Sequence, residues 1–488
     1  MGNASRCAFR TSARRLAPLL WPRIVQYIAE MADSNPPDPL HKGGRLRLFS
    51  LIAATFFMVS GGPYGIEDTL GGAGYFGALL ILAIVPFVWS LPTTLMIGEL
   101  ASAMPAEGGF YVWVRQAFGP FWGYQEAWLS LAASIFDMAI YPTLSVLYLG
   151  RLFPTWTAGG RATLWAVTFV ILCCLWNLGG ARTVGRSAIV LFVALLAPFV
   201  VLVGYGYWAG WHHLLQHVSY PQSAAPHGTI TTAVLVAMWN YMGWDNASTV
   251  AQEVENPRRN YPLAMLATCG IVALSYILPL SAIAAAGIPV DQFTTGAWTD
   301  AARLLAGPWL AVAVVIGGII NGVGMFNALT LSYTRLPVVM AEDRMMPSAL
   351  ARRNRRRSPW VAILLCGLGW ALALGFTYER LISIDLILYG ASLVIEFAAL
   401  IALRIKQPEM VRPFRIPGGM VGVWVVSVCP VALLVYAAYA SRSEQVAHMP
   451  ALLFGLLVAA GGPVCYLLSR WRWGRPIPTP EPSEIAAD

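Results

Sequence analysis

The sequence predicts an all-α membrane protein of about 12 transmembrane helices, and three observations carry that expectation. Of its 488 residues, 57% are hydrophobic and only 11% are charged, whereas a soluble domain carries about 25% charged residues. The apolar residues cluster in runs long enough to cross a bilayer, about 20 residues each. The basic residues alternate between the loops on either side of these runs, as membrane topology requires.

Bounded by Gly, Pro or charge, the runs fall near 48–69, 77–98, 121–149, 162–179, 187–209, 229–251, 263–287, 308–334, 359–377, 381–403, 419–440 and 450–469. With the N-terminus placed in the cytoplasm, 27 of the 32 Lys and Arg residues lie inside. Only Arg151, Arg161, Arg303, Arg380 and Arg442 lie outside. This asymmetry puts both termini in the cytoplasm. Residues 1–47 are then a cytoplasmic segment, with 1–30 read as an extension upstream of a start at Met31. The net charge of +8 is explained by these loops, so no nucleic-acid partner is expected. The basic run Arg352 to Arg357 reads as a topology anchor beside anionic lipid.

Two spans cannot be continuous helices. Span one reads Ser60-Gly61-Gly62-Pro63-Tyr64-Gly65 at its middle. Proline removes a backbone donor and clashes with the preceding turn, and glycine costs about 1 kcal/mol in a helix interior. Span six reads Trp239-Asn240-Tyr241-Met242-Gly243-Trp244-Asp245 at its middle, with a carboxylate at membrane depth. Unwound backbone is tolerated there only where protein or water covers it. Each break opens a block of five spans: 48–209, then, after an outer loop at 210–228, 229–404. Five is odd, so the second block starts from the opposite face. That arrangement is an inverted repeat, whose paired broken helices point to a transporter's central site. Residues 405–470 hold helices eleven and twelve, and 471–488 form a cytoplasmic tail.

Several stretches are then familiar. They are Ser60 through Asp68, Gly108-Gly109-Phe110 to Glu126, Trp239 through Pro257, Arg335-Leu336-Pro337 to Pro347, and Arg412 to Gly419. Glu253-Val254-Glu255-Asn256-Pro257, following an Asp-bearing break, is the most specific. In order over about residues 46–440, the chain resembles the amino acid–polyamine–organocation (APC) permease superfamily, and within it the plant-type polyamine uptake transporters and their bacterial relatives. The resemblance implies the leucine-transporter fold with a 5+5 inverted repeat, alternating access, and uptake driven by a cation gradient, usually of protons. It leaves open neutral amino acids, cationic amino acids or polyamines as substrates.

The residues themselves favour an amine. In this fold the half-helix after the first break meets a substrate carboxylate with free N–H groups and a positive dipole end. Gly61, Gly62 and Gly65 let the backbone approach, but Pro63 has no N–H, which weakens a carboxylate site. Glu126 and Asp137 are eleven residues apart on span three, so they share a face. Asp385 and Glu396 repeat that spacing on span ten, and Asp245 sits in the second break. Intramembrane carboxylates are costly and functional by default. We expect Asp137 and Asp245 to attract substrate amino groups. Tyr64, Trp239, Tyr241 and Trp244 would pack on its methylenes or make cation–π contacts, with Asn240 beside them. Glu126 and Glu396 are the proton-coupling candidates, and a helix–helix hydrogen bond is the plain alternative for each acid. Glu67 and Asp68 are expected at the outer mouth.

The expected function is a secondary active transporter importing amino acids or polyamines by proton coupling, in the cell membrane. The alternatives are a neutral amino acid permease or exchanger of the same fold, or a transporter-like membrane sensor. No cofactor or resident metal is expected. The coupling cation is expected to be H+, with Na+ the alternative because Thr330 and Ser332 offer hydroxyls and span five lacks a lysine. His212, His213, His217 and His227 read as a surface cluster. The seven cysteines form no disulfide framework, and the loop Gly150 to Arg161 has no cysteine, so no disulfide-linked heavy chain is expected. No nucleotide-binding loop or intramembrane His pair supports an enzyme.

Overall fold

The computed structural model describes residues 46–215, 229–289, 293–446 and 448–474. The expectations for the N-terminal segment, most of the outer loop and the end of the tail lie outside the described residues, as do those for His217, His227 and the side chain of His213.

Helix α1, Leu48–Val59, ends where the first glycines and proline begin. The chain becomes helical again in α2, Glu67–Val85, with Glu67 and Asp68 in its first turn facing the positive helix end. Inside α2, Gly74 takes φ 67° and ψ 177°, a conformation essentially reserved for glycine. The first turns of α2 therefore complete span one, and the rest begins span two. A wide π-helical turn at Pro86–Ser90 leads into α3, Leu91–Ala103. It directs the Trp89 indole N–H to the Tyr241 carbonyl at 2.9 Å, inside the second break.

The first block continues through α4 (Phe110–Phe118), α5 (Pro120–Leu152), α6 (Gly160–Asn177) and α7 (Ala181–Leu215). The second opens with α8, Ile230–Asn240. It continues with α9 (Pro257–Ala285), a short α10 (Trp298–Ala306), α11 (Pro308–Tyr333), α12 (Arg335–Glu342), α13 (Trp360–Leu372) and α14 (Tyr378–Lys406). Helices α15 (Gly419–Ala440) and α16 (Ala451–Trp473) follow, joined by a hairpin of two-residue strands, Gln445–Val446 and Met449–Pro450. Among the described residues, nine helices are long and apolar enough to cross a membrane. The other predicted spans are the two interrupted ones and span nine, which is only 13 residues long as α13.

The second half of span six departs from the expected half-helix. After Gly243 the chain runs as 3-10 turns, Trp244–Thr249 and Ala251–Glu253. The local side chains explain this: Thr249 Oγ1 donates to the Asn246 carbonyl at 2.9 Å and Trp244 Nε1 to the Tyr241 carbonyl at 2.8 Å. Side-chain bonds of this kind compete with the helical ladder.

Helix α5 is the hub, packed against α4, α6, α11, α13, α14 and α16. Some 78% of its apolar window is buried, against 22% for α16. The peripheral helices show Leu172, Val200, Leu368, Val421 and Leu467 on their outer faces, as lipid contact demands. At the arginine-rich end, Arg404 grips Glu99 with two hydrogen bonds of 2.5 Å, and Arg412 adds a contact at 3.4 Å. Arg115 pairs with Asp343, and Arg353 donates to Glu107 at 2.9 Å. At the other end α10 lies over the first break, and the preceding loop is held by Arg151 donating to Thr294 Oγ1 at 2.7 Å.

Candidate functional site

The two breaks meet. Asn240 Nδ2 donates to the Gly65 carbonyl at 3.1 Å. The Tyr276 hydroxyl, from α9, donates to the Asn240 carbonyl at 2.5 Å and accepts from Ser60 Oγ at 2.7 Å, tying both breaks through one hydroxyl. Gly243 is left-handed, φ 90°, and sits so close to the Met58 carbonyl that a Cβ would collide with it. Gly61 likewise backs onto the Asn321 side chain of α11, leaving no room for a Cβ.

Between the breaks lies a cavity lined by Met58, Val59, Asp137, Tyr141, Trp239, Met242, Gly243, Asn246, Tyr333 and Tyr389. It has about 10 Å³ of free space, scarcely a water's worth, so the site is closed around itself. One buried aspartate, Asp137, lines this cavity, and a second, Asp245, lies behind it on the lining Tyr389. Asp137 accepts from Tyr141 at 2.5 Å through one oxygen and from Tyr333 at 3.0 Å through the other. Asp245 accepts from Tyr389 at 2.5 Å, and the same hydroxyl accepts the Gly243 N–H at 3.1 Å.

The remaining acids extend from this pair. Asp385 is within electrostatic reach of Asp137 and Asp245, and Glu396 is within reach of Asp245 and Glu126. The eleven-residue spacings thus turn α5 and α14 face to face. Glu126 and Glu396 are fully buried. Glu126 accepts from Ser130 at 2.8 Å through one oxygen. Its other oxygen, both oxygens of Glu396 and one of Asp385 have no hydrogen-bond partner among the described residues. By position, Glu126 lies about 9 Å along α5 from the arginine-rich end and Glu396 about 15 Å along α14 from it, at 1.5 Å per residue. Among the described residues, none of these five acids forms an ion pair with Arg or Lys.

Not every residue expected at the site reaches it. Tyr64 is turned away, donating to the Val314 carbonyl at 2.6 Å and packed edge-on against Tyr148 and Phe199. Tyr241 donates to the Leu82 carbonyl at 2.9 Å, and Trp244 folds back on the Tyr241 carbonyl. Both are fully buried and structural here, because each aromatic polar tip has found a backbone oxygen. Gly62, Pro63 and Gly65 shape the break without lining the cavity, and Asn240 staples the breaks together. Glu67 and Asp68 are not a solvated mouth. Glu67 is 1% exposed, and Asp68 accepts from Thr295 Oγ1 at 2.9 Å. The hydroxyls of Thr330 and Ser332 donate their protons to the Phe326 carbonyl and to Asn246 Oδ1, each at 2.7 Å. Sequence reasoning missed Tyr141, Tyr333, Tyr389 and Asn246. Only Tyr141 left a local signal, four residues from Asp137 on one helix face.

The amino acid permease family model matches residues 49–458. A probable polyamine transporter of Arabidopsis thaliana is 32% identical over 91% of this chain and 89% of its own length. The polyamine transporter PUT1 of Oryza sativa subsp. japonica is also 32% identical, over 93% of this chain and 85% of its own. The serine/threonine exchanger SteT of Bacillus subtilis (strain 168) is 26% identical over 72% of this chain and 84% of its own.

Proposed function

The chain belongs to the amino acid permease family, and on that premise we propose that the cavity between its interrupted helices binds the ammonium groups of a polyamine or basic amino acid and imports it with protons. The protein is a multi-pass membrane transporter for amino acids or polyamines. The observation that carries the finer reading is the buried Asp137 carboxylate in the cavity wall, with Asp245 held behind it by the lining Tyr389 and no cationic side chain in the lining.

Each aspartate is oriented by hydroxyls rather than neutralised by them. A hydroxyl gives one weak hydrogen bond, whereas an ammonium brings charge and up to three donors. An incoming amine therefore outcompetes Tyr141, Tyr333 and Tyr389 for the carboxylates, and Trp239 offers its ring face to the cation. Glu396 and Glu126 continue the row of acids towards the arginine-rich end, which we place in the cytoplasm of a cell-membrane protein. A proton taken by one of them relieves the mutual repulsion that ionised carboxylates suffer in a water-poor interior. Access alternates by release of one end at a time: α10 with its loop on one side, the arginine–carboxylate pairs on the other.

Uptake by proteoliposomes tests this reading, with putrescine, spermidine, arginine and leucine under separate pH and Na+ gradients. The expected result is accumulation of a cationic substrate driven by the pH gradient. Accumulation of leucine alone, or of none of the four, overturns it.

A further inference from the structure

The interrupted helix of span one exposes its own backbone donors, and two of them, at Gly62 and Gly65, are met from within. Gly65 N–H donates to Glu67 Oε2 at 2.7 Å. The other carboxylate oxygen takes the Gly296 N–H at 3.0 Å and the Tyr148 hydroxyl. Gly62 N–H goes to Ser60 Oγ at 3.0 Å, and Pro63 has no N–H at all. The positive end of α2 therefore faces a carboxylate that belongs to the chain itself, buried and held by donors from three separate elements. Gly65 is also where the break touches the cavity wall: a Cβ built there would lie 3.3 Å from the Trp239 ring.

We propose that Glu67 is a specificity-determining residue that occupies the anion position of the first break and so sets the site against ligands carrying a carboxylate. The proposal rests on the transport reading above and sharpens its substrate class. An α-amino acid brings a carboxylate that needs N–H donors and tolerates no neighbouring negative charge. Here the donors at Gly62 and Gly65 are taken, Glu67 adds a charge, and Asp137 and Asp245 lie beyond. An amine without a carboxyl group has no such requirement. The favoured ligands are accordingly diamines and polyamines rather than the amino acids from which they are formed by decarboxylation.

Matched pairs that differ only by the carboxyl group test this: agmatine against arginine, and cadaverine against lysine, as competitors of labelled putrescine uptake and as labelled substrates in proteoliposomes. The wild-type protein is expected to prefer each decarboxylated partner at least tenfold. Glu67→Ala frees the Gly65 N–H and is expected to shrink that preference at least tenfold. Glu67→Gln keeps the bulk, removes the charge, and is expected to shrink it less. A purely structural role for Glu67 lowers uptake of both partners in parallel and leaves their ratio unchanged, which overturns the proposal. Equal use of both partners by the wild-type protein overturns it without any variant and leaves the transport reading standing. Uptake of neither class overturns the transport reading itself.

Discussion

Two sets of carboxylates divide this molecule, one half-buried or buried at the arginine-rich end and one fully buried at the centre. At the arginine-rich end Glu99, Glu107 and Asp343 each have an arginine: Arg404 and Arg412, Arg353, and Arg115. At the centre Asp137, Asp245, Asp385, Glu126 and Glu396 have, among the described residues, neutral partners such as tyrosine, serine, tryptophan or backbone N–H, or for Glu396 none, and no arginine or lysine. The chain thus brings an arginine to its acids at one end and withholds one at the centre. A buried acid paired for good is a structural fastening. A buried acid left for hydroxyls is suited to a cation that arrives and departs, whether a proton or an amine.

The comparison makes predictions of decreasing size. Arg404→Ala removes the two-hydrogen-bond partner of Glu99 and leaves it Arg412 and the Ile416 N–H, so the loss should approach the cost of breaking a buried pair, about 3–5 kcal/mol. It should lower the unfolding temperature in detergent sharply, and a variant as stable as the parent would break the fastening account. Asp137→Asn should cost about 100-fold or more in uptake of a cationic substrate, the consequence of removing one buried charge from a pair. It should leave folding intact, as size-exclusion and thermal profiles would show. Undiminished putrescine or arginine uptake would remove Asp137 from the site. Glu396→Gln should reduce accumulation driven by the pH gradient about tenfold while sparing exchange of labelled for unlabelled amine. Equal loss in both assays would make Glu396 a packing residue rather than a proton carrier.

Much of this arrangement was legible in the sequence because its causes are local. Gly61, Gly62 and Pro63 weaken a helix locally, although the same triplet at 461–463 is accommodated inside α16, and eleven-residue spacing places Glu126 with Asp137, and Asp385 with Glu396, on one side of any helix. What was illegible depends on residues far away in the chain. Tyr333 reaches Asp137 across 196 positions and Tyr389 reaches Asp245 across 144. Tyr64 looks like a ligand contact in sequence, yet the Val314 carbonyl, 250 residues on, claims its hydroxyl. Glu67 looks like a loop acid until Tyr148 and Gly296 close over it. The 3-10 path after Gly243 was missed because helical pattern says little where Asp, Asn, Ser and Thr offer the backbone other partners.

The brevity of α13 extends the molecule's influence beyond its own surface. Thirteen helical residues reach only about 20 Å, whereas the hydrocarbon layer is about 30 Å thick. The lipids along that flank must shorten or tilt, or the exposed guanidinium groups of Arg355, Arg356 and Arg357 just before the helix must stretch up to the headgroups. Acyl-chain length is therefore expected to bear on the helix that packs against the α5 hub.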